Sequence, residues 1–90
     1  MAQPDAALKR ALKSRAQTLE AAVRVGGAGV TEPVLHSLRE ALERHELVKV
    51  RFTGMKAERH TLAPEMARLT QSHLIQELGN VAVFYRPGAE

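Results

Sequence analysis

Apolar residues along this chain fall into alternating helical and strand periods. Between positions 5 and 17, Leu8, Ala11, Leu12 and Arg15 share one helical face, while Lys9, Arg10 and Lys13 lie opposite. This spacing predicts a first helix over residues 5–17, with Arg15 a charge on the apolar stripe whose stem snorkels at its edge. "AAVRV" predicts a short strand with Val23 and Val25 inward and Arg24 outward. After a glycine-rich turn, Thr31 suits a helix N-cap and Pro33 the first helical turn. Val34, Leu35, Leu38, Ala41, Leu42 and His45 then trace one stripe at helical spacing. His36–Glu40, Arg39–Glu43 and Glu40–Arg44 stand four apart on the polar side.

"LVKVRF", residues 47–52, alternates, with Val48, Val50 and Phe52 toward a core and Lys49 and Arg51 away. "TGMKAE" breaks that period as a loop. A third helix is expected over residues 58–70, where Pro64 either kinks it or moves its start to residue 64. "HLIQEL" and "VAVFY" flank Gly79-Asn80, a pair suited to the positive φ values of a tight hairpin turn. The order is αβαβαββ, an α/β (α+β) two-layer fold with a four-stranded mixed sheet. Residues 1–90 are expected to form one domain, with 1–5 and 87–90 as loose ends.

The chain has no cysteine, which removes disulfides and thiolate zinc sites. Its start has no continuous apolar run, so neither a signal peptide nor a membrane span is expected there, and the expected location is the cytoplasm. The formal charge of +3 is unevenly placed. Up to Val25 there are five basic residues against two acidic ones, and from Gly26 onward eight of each. A surplus confined to the first helix and strand suggests a polyanion, nucleic acid ahead of anionic membrane. The alternative is an ordinary solvated helix face.

Gly26-Gly27-Ala28-Gly29 joins the first strand to the second helix. A Walker A loop needs Lys-Ser/Thr after its last glycine, and here Val30-Thr31 follows. A dinucleotide fingerprint starting at Gly27 would need glycine where Glu32 stands, and the chain is short for the doubly wound sheet that hosts one. Two readings remain. One is a tight turn that needs glycine only for its own backbone. The other is a G-x-x-G loop that lies flat against a nucleotide backbone. In that case a side chain at Gly26 or Gly29 would hold the sugar-phosphate off, while the N–H groups and dipole of the following helix attract phosphate.

"VGGAGVTEPVLHSLREALERHELVKVRF", the later "HLIQELGNVAVFYRP" and the leading "LKRALKSRAQTLEAAVRV" closely resemble the YhbY-type CRM domain (chloroplast RNA splicing and ribosome maturation). The resemblance runs from about Leu8 to Pro87. It implies an RNA-binding domain with a KH-like fold, similar to the C-terminal domain of a bacterial translation initiation factor. It also implies a stand-alone bacterial protein that associates with precursors of the large ribosomal subunit. The family's G-x-x-G loop falls on Gly26 to Gly29, and its basic first helix on Lys9, Arg10 and Lys13. Many members carry a lysine or polar residue inside the loop, where this chain has Gly27 and Ala28. That departure leaves the phosphate to the loop backbone and Arg24. Relatives commonly have leucine in place of Arg15.

The remaining chemistry is sparse. His36, His45, His60 and His73 form no H-x-x-x-H pair, so no metal ligand is assigned. His45 is expected at the core edge and His36 beside Glu40. Phe52 and Phe84 read as core, which argues against a surface that stacks bases on exposed rings. No catalytic residue and no cofactor are assigned. The expected protein is a monomer that binds ribosomal RNA in large-subunit precursors, with no membrane or small-molecule partner. Gly26, Gly27, Ala28 and Gly29 would seat the backbone, with Thr31 holding the helix start. Lys9, Arg10, Lys13 and Arg24 would neutralise phosphates, and Lys49 and Arg51 would either extend the basic surface beside Arg24 or be ordinary solvated strand residues. The rival is an adaptor that docks on a ribosomal protein through an exposed hairpin edge, without direct RNA contact.

Overall fold

The structure is a computed structural model that describes residues 4–54 and 58–88. In chain order these form α1 (Ala6–Ala16), β1 (Val23–Val25), α2 (Glu32–Arg44), β2 (Leu47–Phe52), α3 (Arg59–Leu69), β3 (His73–Leu78) and β4 (Val81–Tyr85). The strands lie in the order β1-β2-β4-β3, with β1 parallel to β2 and the other pairs antiparallel. A parallel neighbour requires a crossover, and α2 supplies it. The α+β class, the element order and the mixed sheet are as the sequence pattern predicts.

The alternation of β2 decides which residues meet which helix. Val48, Val50 and Phe52 point to one face and join Leu35, Leu38 and Leu42 of α2 and Ala63 and Met66 of α3 in the main core. Leu47 points to the other face, where it meets Leu12 and Ala16 of α1 with Ile75 and Val83. The α2–α3 layer and the sheet make the two expected layers, and α1 covers part of the opposite face. Buried aliphatic side chains of this size contribute about 1.5–3 kcal/mol each, so the larger cluster dominates the fold.

Several local expectations change. The buried side of α1 is Leu12 and Ala16, with Leu8 38% exposed and Ala11 and Arg15 exposed. Arg15 therefore does not interrupt the apolar stripe but flanks it. His45 is exposed, because the chain leaves α2 there in extended conformation (φ −137°, ψ 132°). Of the three helical pairs expected on α2, only His36–Glu40 forms, at 3.4 Å. Arg39 instead reaches Glu32 at 3.9 Å and donates to the Leu69 carbonyl at 3.4 Å. α3 begins at Arg59 and runs through Pro64, so the proline does not mark its start. It removes only the bond to the His60 carbonyl. Gly79 alone in its turn takes positive φ (60°), which fits a type II′ hairpin rather than the type I′ that needs both residues.

β3 carries a bulge that the alternation of the sequence hid. Leu74 pairs with Phe84 and Gln76 with Val83, so Ile75 is the extra residue. Of the expected loose ends, Asp5 caps α1 by accepting from the Leu8 N–H at 2.8 Å, and the Gly88 N–H donates to Glu46 at 3.0 Å. Residues 1–3 and 89–90, like 55–57 of the expected loop, lie outside the described residues.

α3 ends in a Schellman turn. The Ser72 N–H donates to the Ala67 carbonyl at 2.9 Å and the Gln71 N–H to that of Arg68 at 3.3 Å. Gln71 sits there with φ 56°, a conformation that favours glycine. Gln71→Gly is expected to stabilise the protein by about 1 kcal/mol, read as a higher urea midpoint at unchanged m-value. A lower midpoint would mean that the glutamine side chain offsets its own backbone strain.

Candidate nucleic-acid interface

The loop after β1 divides into an inner and an outer part. The Gly29 N–H donates to the Gly26 carbonyl at 3.0 Å, and Gly29 is buried with φ 81°. Glycine is required at 29 by the turn itself, so the expectation that Gly29 lies bare against a ligand is corrected. Gly26, Gly27 and Ala28 are exposed. Neither Gly26 nor Gly27 has positive φ, and a Cβ at either would meet nothing within 4 Å. The fold does not demand glycine at these two positions. Their bareness matters only to something that approaches from outside.

Thr31 occupies the N-cap of α2 with φ −106° and ψ 169°, but its hydroxyl makes no capping bond. Glu32 follows in the first turn, beside Pro33, which has no N–H to offer. A carboxylate in the first turn already interacts with the helix dipole there. Arg39 draws Glu32 along the helix. Positive charge for an anion at this loop has to come from elsewhere.

It comes from the sheet. Arg24 is the register partner of Arg51 on the adjacent parallel strand, so both side chains rise from the α1 face as neighbours. Arg51 in turn pairs with Val81, and Val81 with Leu78. One rung therefore reads Leu78–Val81–Arg51–Arg24, and the next reads Gln76–Val83–Lys49. Among the described residues, no carboxylate stands at ion-pair distance from Lys9, Arg10, Lys13, Arg24, Lys49 or Arg51. Lys49 is half-buried and donates to the Leu19 carbonyl at 3.0 Å, which ties the α1–β1 connection to the sheet. Arg24, Lys49 and Arg51 line a hollow of about 410 Å³ with Leu19, Glu20 and Ala21.

The glycine loop lies at the same end of this face. The Thr53 N–H and hydroxyl both reach the Val25 carbonyl, at 2.8 and 3.1 Å, and the Phe52 N–H reaches Asn80 at 2.7 Å. Those bonds gather the loop, the end of β2 and the β3–β4 turn together. On α1, Lys9, Lys13 and Gln17 are four apart and share one flank. Gln17 and Ala16 line a hollow of about 160 Å³ with Leu78 and Val81 near that turn, so the C-terminal end of this flank borders the hairpin. Arg10 points away from the sheet. Arg15 lines a further hollow with Arg44 and His45, which adjoins the cationic one through Leu19, Glu20 and Lys49. Of the predicted residues, Arg24, Lys49 and Arg51 share one hollow and the glycine loop lies at the same end of the sheet, while Lys9, Lys13 and Arg10 are exposed or half-buried along α1, and Gly29 and Thr31 shape the turn.

Sequence reasoning missed the apolar half of this face. Leu78 is 69% exposed and stands on the same rung as the arginines. It also assigned no role to Arg86, whose guanidinium donates to the Thr70 carbonyl at 3.0 Å and closes the end of α3. Among the described residues, the one ion pair that moves ionisation is remote: a hydrogen bond from Arg68 holds the Glu65 carboxyl below its ordinary range, and both are on α3.

A mixed four-stranded sheet between helices, with an exposed glycine turn at one end, places the chain among small α+β domains. The chain belongs to the CRS1 / YhbY (CRM) domain family, which matches residues 6–86. It is 37% identical over 83 residues to an RNA-binding protein of Haemophilus influenzae, covering 91% of this chain and 84% of that one. It is 32% identical over 83 residues to the probable RNA-binding protein YqeI of Bacillus subtilis, covering 91% and 86%. The CRM-domain containing factor CFM3 of Oryza sativa, chloroplastic/mitochondrial, matches at 32% over 84 residues, 92% of this chain and 9% of the plant protein. The solution structure of protein SAV1595 from Staphylococcus aureus superimposes with a TM-score of 0.86 at 28% identity, covering 98% of this chain and 93% of that one.

Like charges on neighbouring strands destabilise a sheet. Arg51→Thr is therefore expected to raise Tm by roughly 2 °C at low ionic strength, with the gain shrinking as salt screens the pair. A drop in Tm at low salt would show that the arginine stems contribute more by packing than their charges cost.

Proposed function

We propose that this protein binds RNA through the glycine loop and the cationic rung beside it. Arg24 next to Arg51, with no carboxylate at ion-pair distance from either among the described residues although Glu20 borders the same hollow, is the observation that carries this reading. A folded chain keeps such a pair only at a cost, and a polyphosphate backbone relieves it. Gly26, Gly27 and Ala28 let that backbone approach the main chain, while Lys9 and Lys13 extend the charge along α1. Gly29 and Thr31 hold the turn rather than touch the ligand. Lys49 serves twice, as a tie to Leu19 and as a cation in the hollow.

In this reading the partner is ribosomal RNA in a precursor of the large subunit, and the protein acts as a monomeric, non-catalytic assembly factor in the cytoplasm. The family and the naming of its bacterial relatives as RNA-binding support the ligand class. Among the described residues no group of three or more His, Cys, Asp or Glu could hold a metal ion, and no described helix is long and apolar enough to cross a membrane. The adaptor reading has less behind it, because the β3 edge is bulged at Ile75 and pairs poorly with an added strand.

Gly27→Asp, in open space with ordinary φ, is expected to weaken RNA binding about tenfold in a gel-shift titration while leaving Tm unchanged. Unchanged affinity would remove the loop from the interface. Affinity should also fall steeply with salt, and Arg24→Ala or Arg51→Ala should each reduce the log–log slope by about 0.7–0.9. For the ribosomal partner, co-sedimentation with large-subunit precursors should be lost after ribonuclease treatment. Retention would favour a protein partner.

A further inference from the structure

Not every exposed cation belongs to the proposed interface. The hollow bordered by Arg15, Arg44 and His45 lies at the C-terminal ends of α1 and α2, where basic residues offset helix dipoles and need no ligand. The hollow of about 160 Å³ between α1 and the β3–β4 hairpin is different. Val81 and Val83 form its floor, Leu78 its exposed rim, and Gln17 and Gln76 bring two side-chain amides. Lys49 lines this hollow and also the cationic one beside it, so the two share a wall.

The rungs of the sheet explain how the two halves meet. Leu78 and Val81 lead directly to Arg51 and Arg24, and Gln76 and Val83 lead to Lys49. Apolar surface and the Gln76 amide occupy the β3–β4 side, with Gln17 beside them at the end of α1, and three cations with Glu20 at their border occupy the β1–β2 side. The bulge at Ile75 contributes, because it resets the register so that Gln76 pairs with Val83 and lines the hollow on the α1 face. A ligand that matches this division carries a flat ring with hydrogen-bonding edges at one end and a negative charge at the other.

Resting on the RNA reading above, we propose that this hollow receives one unstacked base of a single-stranded or bulged RNA segment, whose phosphates lie on Arg24 and Arg51. The base sits over Leu78 and Val81, and the amides of Gln17 and Gln76, each both donor and acceptor, meet its edge. A continuous duplex offers phosphates but no free base, so it engages the cationic half alone. The site therefore separates flexible RNA from paired RNA without an exposed aromatic ring.

The test compares an oligoadenylate of about ten nucleotides with its duplex with oligouridylate, by fluorescence anisotropy at several salt concentrations. Leu78 is exposed, so Leu78→Ser and Leu78→Phe are not expected to disturb the fold, which Tm checks. The serine variant should bind the single strand about fivefold more weakly and the phenylalanine variant more tightly, with duplex affinity and salt slope unchanged in both. Single-strand affinity that ignores both substitutions, or duplex affinity that falls in step, overturns the base site while leaving the RNA reading in place. A Leu78-dependent change in sedimentation mass also overturns it, because the leucine then covers a protein contact. Wild-type protein that binds neither probe overturns the RNA reading and the base site together.

Discussion

The open face of this molecule is set by the register of β2 between β1 and β4. Alternate residues of β2 are committed to the core under α2 and α3, where Val48, Val50 and Phe52 are nearly inaccessible. A slip of one position would bury Lys49 and Arg51 and expose the valines, so the register is strongly enforced. Thr53 fixes it at the β1 side, with two bonds to the Val25 carbonyl. Once that register is fixed, Arg51 has nowhere to stand but beside Arg24.

α1 covers only part of the opposite face. Leu12 and Ala16 bury themselves against Leu47, Ile75 and Val83, and the Lys49–Leu19 bond anchors the chain as it leaves the helix. Beyond that bond the face belongs to the arginines and to the exposed end of the hairpin. The charge surplus of the N-terminal segment and the open sheet surface thus reinforce each other. Remote residues such as Arg68 and Arg39 are neutralised by local partners and add little to this field.

Much of this was legible in the sequence because the periods were clean. α2 and β2 have apolar positions too regular to misread, and Gly79-Asn80 between two apolar runs marks the hairpin. The orientation of α1 was less legible. Ala11 and Ala16 are equally small, so the pattern could not say which side the sheet would take. The Ile75 bulge was hidden because an extra residue in a strand leaves no mark on a sequence of mixed polarity. Strand order was also beyond reach, and with it the meeting of Arg24 and Arg51, which are distant in the chain and adjacent only through pairing. The roles of the four loop residues could not be separated either, because glycine reads the same whether backbone conformation or a visitor requires it.

That separation has an evolutionary consequence. Gly29 is fixed by a left-handed turn folded inward, whereas positions 26 to 28 face solvent with room around the first two. Selection can rewrite the outer part of the loop without endangering the architecture. Divergent copies can vary at those positions while inheriting the same scaffold unchanged.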